Sequence, residues 1–205
     1  RGILESAHRL RSNIGTVFRY AIATGRAEND PSSHLKGALT ARQPKNRAAI
    51  IDPVRFGELL RAIDGFYGQP TTKAALKLLA LVFTRPGELR LAEWKEFDFE
   101  KAVWTVPAGR MKMRREHKVP LSRQAIQILR ELQPFTGEGC FLFPGTRSAM
   151  RPISDGTLNA ALRRLGYDKE DVCAHGFRAT ASTLLNESRK FSPDAIERAL
   201  AHAGH

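Results

Sequence analysis

The sequence is poor in cysteine, in acidic residues and in long apolar runs, and each shortage removes a class of protein. Two cysteines, Cys140 and Cys173, in 205 residues are too few for a disulfide framework or a zinc motif. Cys173 and His175 stand close together, but four converging ligands cannot be assembled around them, so no metal is expected. No apolar stretch approaches the roughly 20 residues that cross a bilayer, and no signal-peptide pattern opens the chain. A cytoplasmic protein is therefore expected. The 21 Asp+Glu against 33 Lys+Arg leave a formal charge of +12, which attracts polyanions. Nucleic acid is the first candidate. An anionic membrane surface is the second, but it calls for a strongly amphipathic helix with exposed aromatics, and no segment reads that way. No membrane partner is expected. Internal repeats, low-complexity tracts and heptads of useful length are also absent.

What is present has an ordinary globular balance, 42% hydrophobic and 26% charged residues. Ile3, Ala7, Leu10, Ile14, Val17 and Ala21 recur at helical spacing and predict a long amphipathic helix ended by Gly25, with Arg9, Arg11 and Arg19 on its other face. "TARQPKNRAAI" is basic and contains proline but has no apolar period, so it reads as a linker that could follow a nucleic-acid backbone; Lys45 and Arg47 are its candidate contacts. Asp52-Pro53 then opens a second unit as N-cap and first helical residue. Helices are expected over 53–63 and 71–83. Further helices are expected from the Ser122 cap to Leu132, closed by Pro134, from Ser154 to Leu165, stopped by Gly166, and from Ser192-Pro193-Asp194, with Ile196 and Leu200 inward. "AVWTVPAGRMKMRREHKVPL" alternates and is rich in β-formers, which predicts a hairpin turning near Pro107–Gly109.

Four places carry candidate chemistry. In "LVFTRPGELR", Pro86 pushes Arg85 out of the α region, so a long cation should emerge at a break between two helices. On the hairpin, Met111 and Met113 should face one way and Lys112 and Arg114 the other. Arg110, Arg114, Arg115 and Lys118 add positive charge there against Glu116 alone, as suits a ribbon lying along phosphates. In "CAHGFRATASTLLN", Ala174, Phe177, Ala181, Leu184 and Leu185 form a core stripe, while His175 and Arg178 stand on neighbouring positions of one face where they can grip one anion. His202, in "ALAHAGH", lies near the end of the last helix, opposite Leu200. Each feature alone has a bland reading as a solvated side chain.

In order, "TRPGEL", "MKMRREHKVPLS", "AHGFR" and "LAH" resemble the first-arginine motif, the lysine-bearing hairpin, the HxxR box and the final histidine box of the tyrosine recombinases, the phage-integrase family. The likeness is to the integrases of prophages and genomic islands. It implies a mainly α fold with a small antiparallel β-sheet (α+β). Residues 1–40 would be the C-terminal part of a helical core-binding domain, 41–51 a basic linker, and 52–205 a catalytic domain.

The resemblance also implies site-specific recombination at attachment sites on double-stranded DNA, by a homo-tetramer, without metal or cofactor. A tyrosine attacks a backbone phosphate to give a 3′-phosphotyrosine and a free 5′-hydroxyl. Arg85 and Arg178 would bind the non-bridging oxygens and Lys112 would protonate the leaving 5′-oxygen. His175 would assist proton transfer, and His202 would hydrogen-bond the phosphate. The family's nucleophile follows the last histidine motif, whereas Tyr20, Tyr67 and Tyr167 all precede the HxxR box. Both ends of the sequence look cut, so these 205 residues are expected to bind DNA without cleaving it. A type IB topoisomerase relative and a non-catalytic DNA-binding remnant or regulator are the alternatives.

Overall fold

In the computed structural model, residues 3–41, 47–111 and 113–201 are described. The chain divides into two compact units, Arg1–Asn46 and Arg47–His205.

The first unit is built on helix α1, Ile3–Ala23. Gly25, at φ +70°, follows it in the left-handed region that favours glycine. Asp30 then caps a short 3-10 helix, Pro31–Leu35, accepting the Ser32 backbone N–H at 2.9 Å and its hydroxyl at 2.7 Å. Arg11 Nε donates to the Ser32 carbonyl at 3.1 Å and ties this turn to α1. The apolar period of α1 was legible in the sequence, but Leu10 and Val17 are exposed, and Gly15 is the helix's buried residue.

The second unit holds the core. Helix α2, Pro53–Asp64, starts where the sequence places it, with Asp52 accepting the Arg55 N–H at 2.8 Å. Helix α3, Pro70–Val82, is apolar nearly all round, and Ala75, Leu76, Leu78 and Leu79 are buried. That is the pattern of a helix enclosed on several sides. It ends at Phe83, whose left-handed φ of 52° turns the chain into the short helix α4, Pro86–Arg90. A three-stranded antiparallel meander follows: β1, Phe97–Asp98; β2, Val103–Val106; and β3, His117–Pro120. Trp104 is fully buried, stacks on Phe97 at 5.2 Å between ring centroids, and donates its indole N–H to Glu96 at 3.0 Å.

Helix α5, Arg123–Thr136, has the Ser122 cap. It runs through Pro134, where the sequence had suggested a stop; the proline sits in the last turn, where it forfeits one hydrogen bond, to the carbonyl of exposed Arg130. Strands β4, Pro144–Gly145, and β5, Ser148–Pro152, form a separate two-stranded ribbon. Helices α6, Thr157–Arg164, α7, Gly176–Ser188, and α8, Pro193–Ala199, complete the unit. Ile196 and Leu200 are buried as expected. The whole is mainly α with small antiparallel sheets.

The hairpin differs from its sequence reading. Val106 pairs with His117, so the described residues between them, 107–111 and 113–116, form an open loop instead of a tight turn near Pro107–Gly109. A 3-10 turn at Ala108–Arg110 and a left-handed Arg114, φ 50°, break the strand alternation. In consequence Met111 is buried and Met113 is exposed, and the two do not share a face.

Residues 47–50 are also more ordered than a linker. The Ala48 carbonyl accepts the Cys173 N–H at 3.2 Å, and the Ile50 carbonyl accepts the Thr180 hydroxyl at 2.8 Å. A Cβ on Gly176 would stand 2.1 Å from the Ala48 oxygen. Only glycine lets this strand cross the start of α7. Gly176→Ala is therefore expected to destabilise the protein by about 1–3 kcal/mol, as backbone is forced apart, read as a lower urea midpoint with an unchanged slope.

Candidate functional site

The corner between α3 and α4 is the foundation of the site. Pro86 keeps Arg85 extended, at φ −68° and ψ 141°, so its side chain leaves the helix ends. Glu88 captures it twice: Oε2 accepts the Arg85 backbone N–H at 2.8 Å, and Oε1 accepts from the guanidinium at 2.6 Å. Glu88 is only 4% exposed. One buried carboxylate thus caps α4 and aims the guanidinium.

Arg178 enters from α7. It is 8% exposed, and its guanidinium donates through Nη1 to the Phe83 carbonyl and through Nη2 to the Leu200 carbonyl. The first carbonyl ends α3 and the second follows α8, so one side chain joins three helix termini. Burial pushes its pKa down, as does the positive charge of Arg85, while Glu88 and Glu197 act in the opposite sense. Two guanidiniums are thereby held within each other's field, which is costly away from water unless negative charge is supplied.

His175 is the residue that precedes α7, in helical conformation at φ −70° and ψ −25°. It is half-buried, and its pKa lies below the ordinary value of 6.5, first through burial and then through the charges of Arg47, Arg178 and Arg85. The structure thus brings Arg85, His175 and Arg178 into one electrostatic neighbourhood, with exposed Arg47 at its edge. Lys45, Lys112 and His202 lie outside the described residues.

The remaining sequence candidates separate. Arg114, Arg115 and Lys118 are exposed, and Lys118 makes a long 4.0 Å pair with Glu116. Arg110 does not project with them. The 3-10 turn swings it inward, where it ion-pairs with buried Glu96 and donates to the Leu91 carbonyl. Its charge is consumed inside the fold.

Two residues went unassigned in the sequence. Glu88 carried a signal, an acid in the first turn after Arg-Pro. His117 carried none beyond its place on the hairpin. Its ring is half-buried beside Glu88, Arg178, Arg85 and the Ala199 backbone, and burial is the main cause of a lowered pKa. The tyrosines stand elsewhere. Tyr20 is on α1 in the first unit, Tyr67 is 95% exposed, and Tyr167 packs on the core with its pKa raised by burial.

Residues 51–205 match the Phage integrase family, and residues 1–38 match the Phage integrase central domain. The chain is 41% identical to the integrase of Enterobacteria phage P4, covering 97% of this chain and 48% of that protein. It is likewise 41% identical to prophage integrase IntZ of Escherichia coli K12, with 97% and 48% covered. The chain thus spans about half the length of these curated relatives. A lambda integrase dimer bound to a COC′ core site shares the fold, with a TM-score of 0.72, 20% identity, and 99% of this chain and 57% of that one covered.

The histidines predict a pH dependence. Both His175 and His117 have folded pKa values below 6.5. As pH falls through about 6.5 the unfolded chain binds protons that the folded chain resists, so stability is full above that pH and declines below it. The melting temperature should fall between about pH 7.5 and about pH 5.5, and His175→Asn should flatten the slope; a slope unchanged by the substitution would remove His175 from this account.

Proposed function

The chain belongs to the phage integrase family, and from that premise we propose that it is the DNA-recombining part of a tyrosine-type site-specific recombinase, one that integrates and excises a prophage or genomic island. The observation that carries the reading is the Arg85–Arg178 pair, one guanidinium partly exposed and the other buried, with buried Glu88 beside them. A scissile phosphate would supply the negative charge that this corner is short of. Planar guanidiniums match phosphate oxygens better than ammonium groups do. Anchoring Arg178 on two carbonyls fixes its plane before the substrate arrives, which is the condition for stabilising charge that develops at a crowded phosphorane.

In this mechanism a tyrosine oxygen attacks phosphorus, the bond to the 5′-oxygen breaks, and that oxygen takes a proton from Lys112. His175, neutral at physiological pH by virtue of its environment, is suited to assist proton transfer from the nucleophile. His202 is assigned a hydrogen bond to the phosphate. Arg47, Arg114, Arg115 and Lys118, all exposed, would lie along the flanking backbone with Lys45. Arg110 contributes instead by bracing the loop through Glu96.

No cofactor enters this scheme, because the phosphotyrosine bond conserves the energy of the bond it replaces. The partners are the double-stranded attachment sites and further copies of the chain, as a homo-tetramer on DNA in the full-length protein, in the cytoplasm and on the nucleoid. The 205 residues by themselves are proposed to bind DNA without forming a covalent adduct. Their three tyrosines lie on α1, at an exposed loop and against the core, which also keeps alive a second reading as a DNA-binding remnant.

Two measurements separate these readings. Duplex binding by the 205 residues should weaken by orders of magnitude between about 50 and about 200 mM salt if several phosphates are neutralised; salt-independent binding would count against the proposal. In the full reading frame that carries these residues, Arg178→Ala should slow strand cleavage by about 100- to 1,000-fold with a small loss of binding. Equal small losses in both would identify a binder and not a recombinase.

A further inference from the structure

His117 is the first residue of β3, and its pairing with Val106 closes the loop 107–116. The neighbouring strand positions, Val106 and Val119, are buried in the core. A histidine at this place is unexpected on packing grounds, since a leucine would fill the same space without a polar atom. Its Nε2 is enclosed and makes no well-formed hydrogen bond among the described residues, the Ala199 backbone being a looser partner of the ring. Such an atom carries a desolvation cost of about 1–3 kcal/mol, and exceptions of this kind in native proteins call for an explanation.

The surroundings supply one. The groups that face the ring are Arg85 and Glu88 from α4, Arg178 from α7 and the Ala199 backbone from α8. Ala199 adjoins Leu200, whose carbonyl holds Arg178. The imidazole therefore lies within the field of the arginine pair, with the Ala199 backbone, next to the carbonyl that holds Arg178, beside it. A protonated ring would add a third positive charge to that corner, whereas a neutral one is a flat, rigid wall with a polar edge.

We propose that His117 is a positioning residue of the phosphate site, holding the Arg85–Arg178 pair in the geometry that a scissile phosphate requires. It acts through the arginines and is not itself placed in contact with DNA. The inference rests on the reading of Arg85 and Arg178 as phosphate ligands, and its test is chosen so that the two can fail separately.

In the full reading frame, His117→Leu replaces the ring by an apolar side chain. The expected result is a melting temperature equal to or above that of the wild type, because the enclosed, poorly partnered nitrogen is gone, with DNA affinity little changed. Strand cleavage should nonetheless slow by about 100-fold, the cost typical of a small misplacement of binding groups. The deficit should shrink on a substrate with a methylphosphonate at the scissile position. There one anionic oxygen is replaced by a neutral methyl group, and the arginines have less charge to hold.

Arg178→Ala run in parallel should show the same relief. Cleavage by His117→Leu at the wild-type rate, a loss that merely tracks a fall in melting temperature, or an undiminished deficit on methylphosphonate would each overturn the role of His117. Absence of relief for Arg178→Ala as well, or no cleavage by the wild type, would instead overturn the phosphate reading beneath it. Should His117→Leu fail to fold, His117→Gln, which keeps a polar group but no ring, carries the same comparison.

Discussion

The buried guanidinium of Arg178 is the interaction on which the rest of the second unit turns. It donates to backbone carbonyls from segments far apart in sequence, those of Phe83 and Leu200. Each is the kind of helix-end carbonyl that has no partner within its own helix. A charged donor satisfies them in a way that no neutral side chain of that reach could, and hydrogen bonds to charged groups are the stronger kind. The same bonds that settle three helix termini also fix the orientation of the cation. Architecture and charge placement are one construction here, so the site cannot be loosened without loosening the fold around it.

Glu88 completes that construction from the other side. Buried ion pairs contribute little net stability, because desolvation consumes most of the Coulombic gain. The Arg85–Glu88 pair is better understood as an aiming device, since the carboxylate also accepts the Arg85 backbone N–H and so binds both ends of the residue. Glu96 does for Arg110 what Glu88 does for Arg85, with Trp104 as a further donor. In both cases a buried acid fixes the direction of an arginine.

Much of this was legible in the sequence, for definite reasons. Caps and helix starts were readable because Asp52, Ser122 and Ser192 act locally, on the N–H groups a few residues ahead. Arg85 was placed correctly at a helix break because proline restricts the residue before it whatever the tertiary context. The loop 107–116 was misread because alternation of Met111, Lys112, Met113 and Arg114 mimics a strand, and only the left-handed Arg114 and the 3-10 turn reveal otherwise. Arg110 looked like its exposed neighbours because its partner, Glu96, lies across the sheet. The role of residues 47–50 was invisible for the same reason, since their hydrogen bonds reach residues 173 and 180. Local signals survive in a sequence; contacts between distant segments do not.

The pairing of Val106 with His117 has an implication for how such proteins can vary. With both ends pinned on adjacent strands, the intervening span has its closure entropy already set by the sheet, and doubling its length costs only about 0.6 kcal/mol. Insertions at the exposed positions 113–116 leave the meander, buried Met111 and the Arg110–Glu96 pair in place. Those four positions are accordingly where length and charge can change at little thermodynamic risk, a stretch of evolutionary freedom bolted to one of almost none.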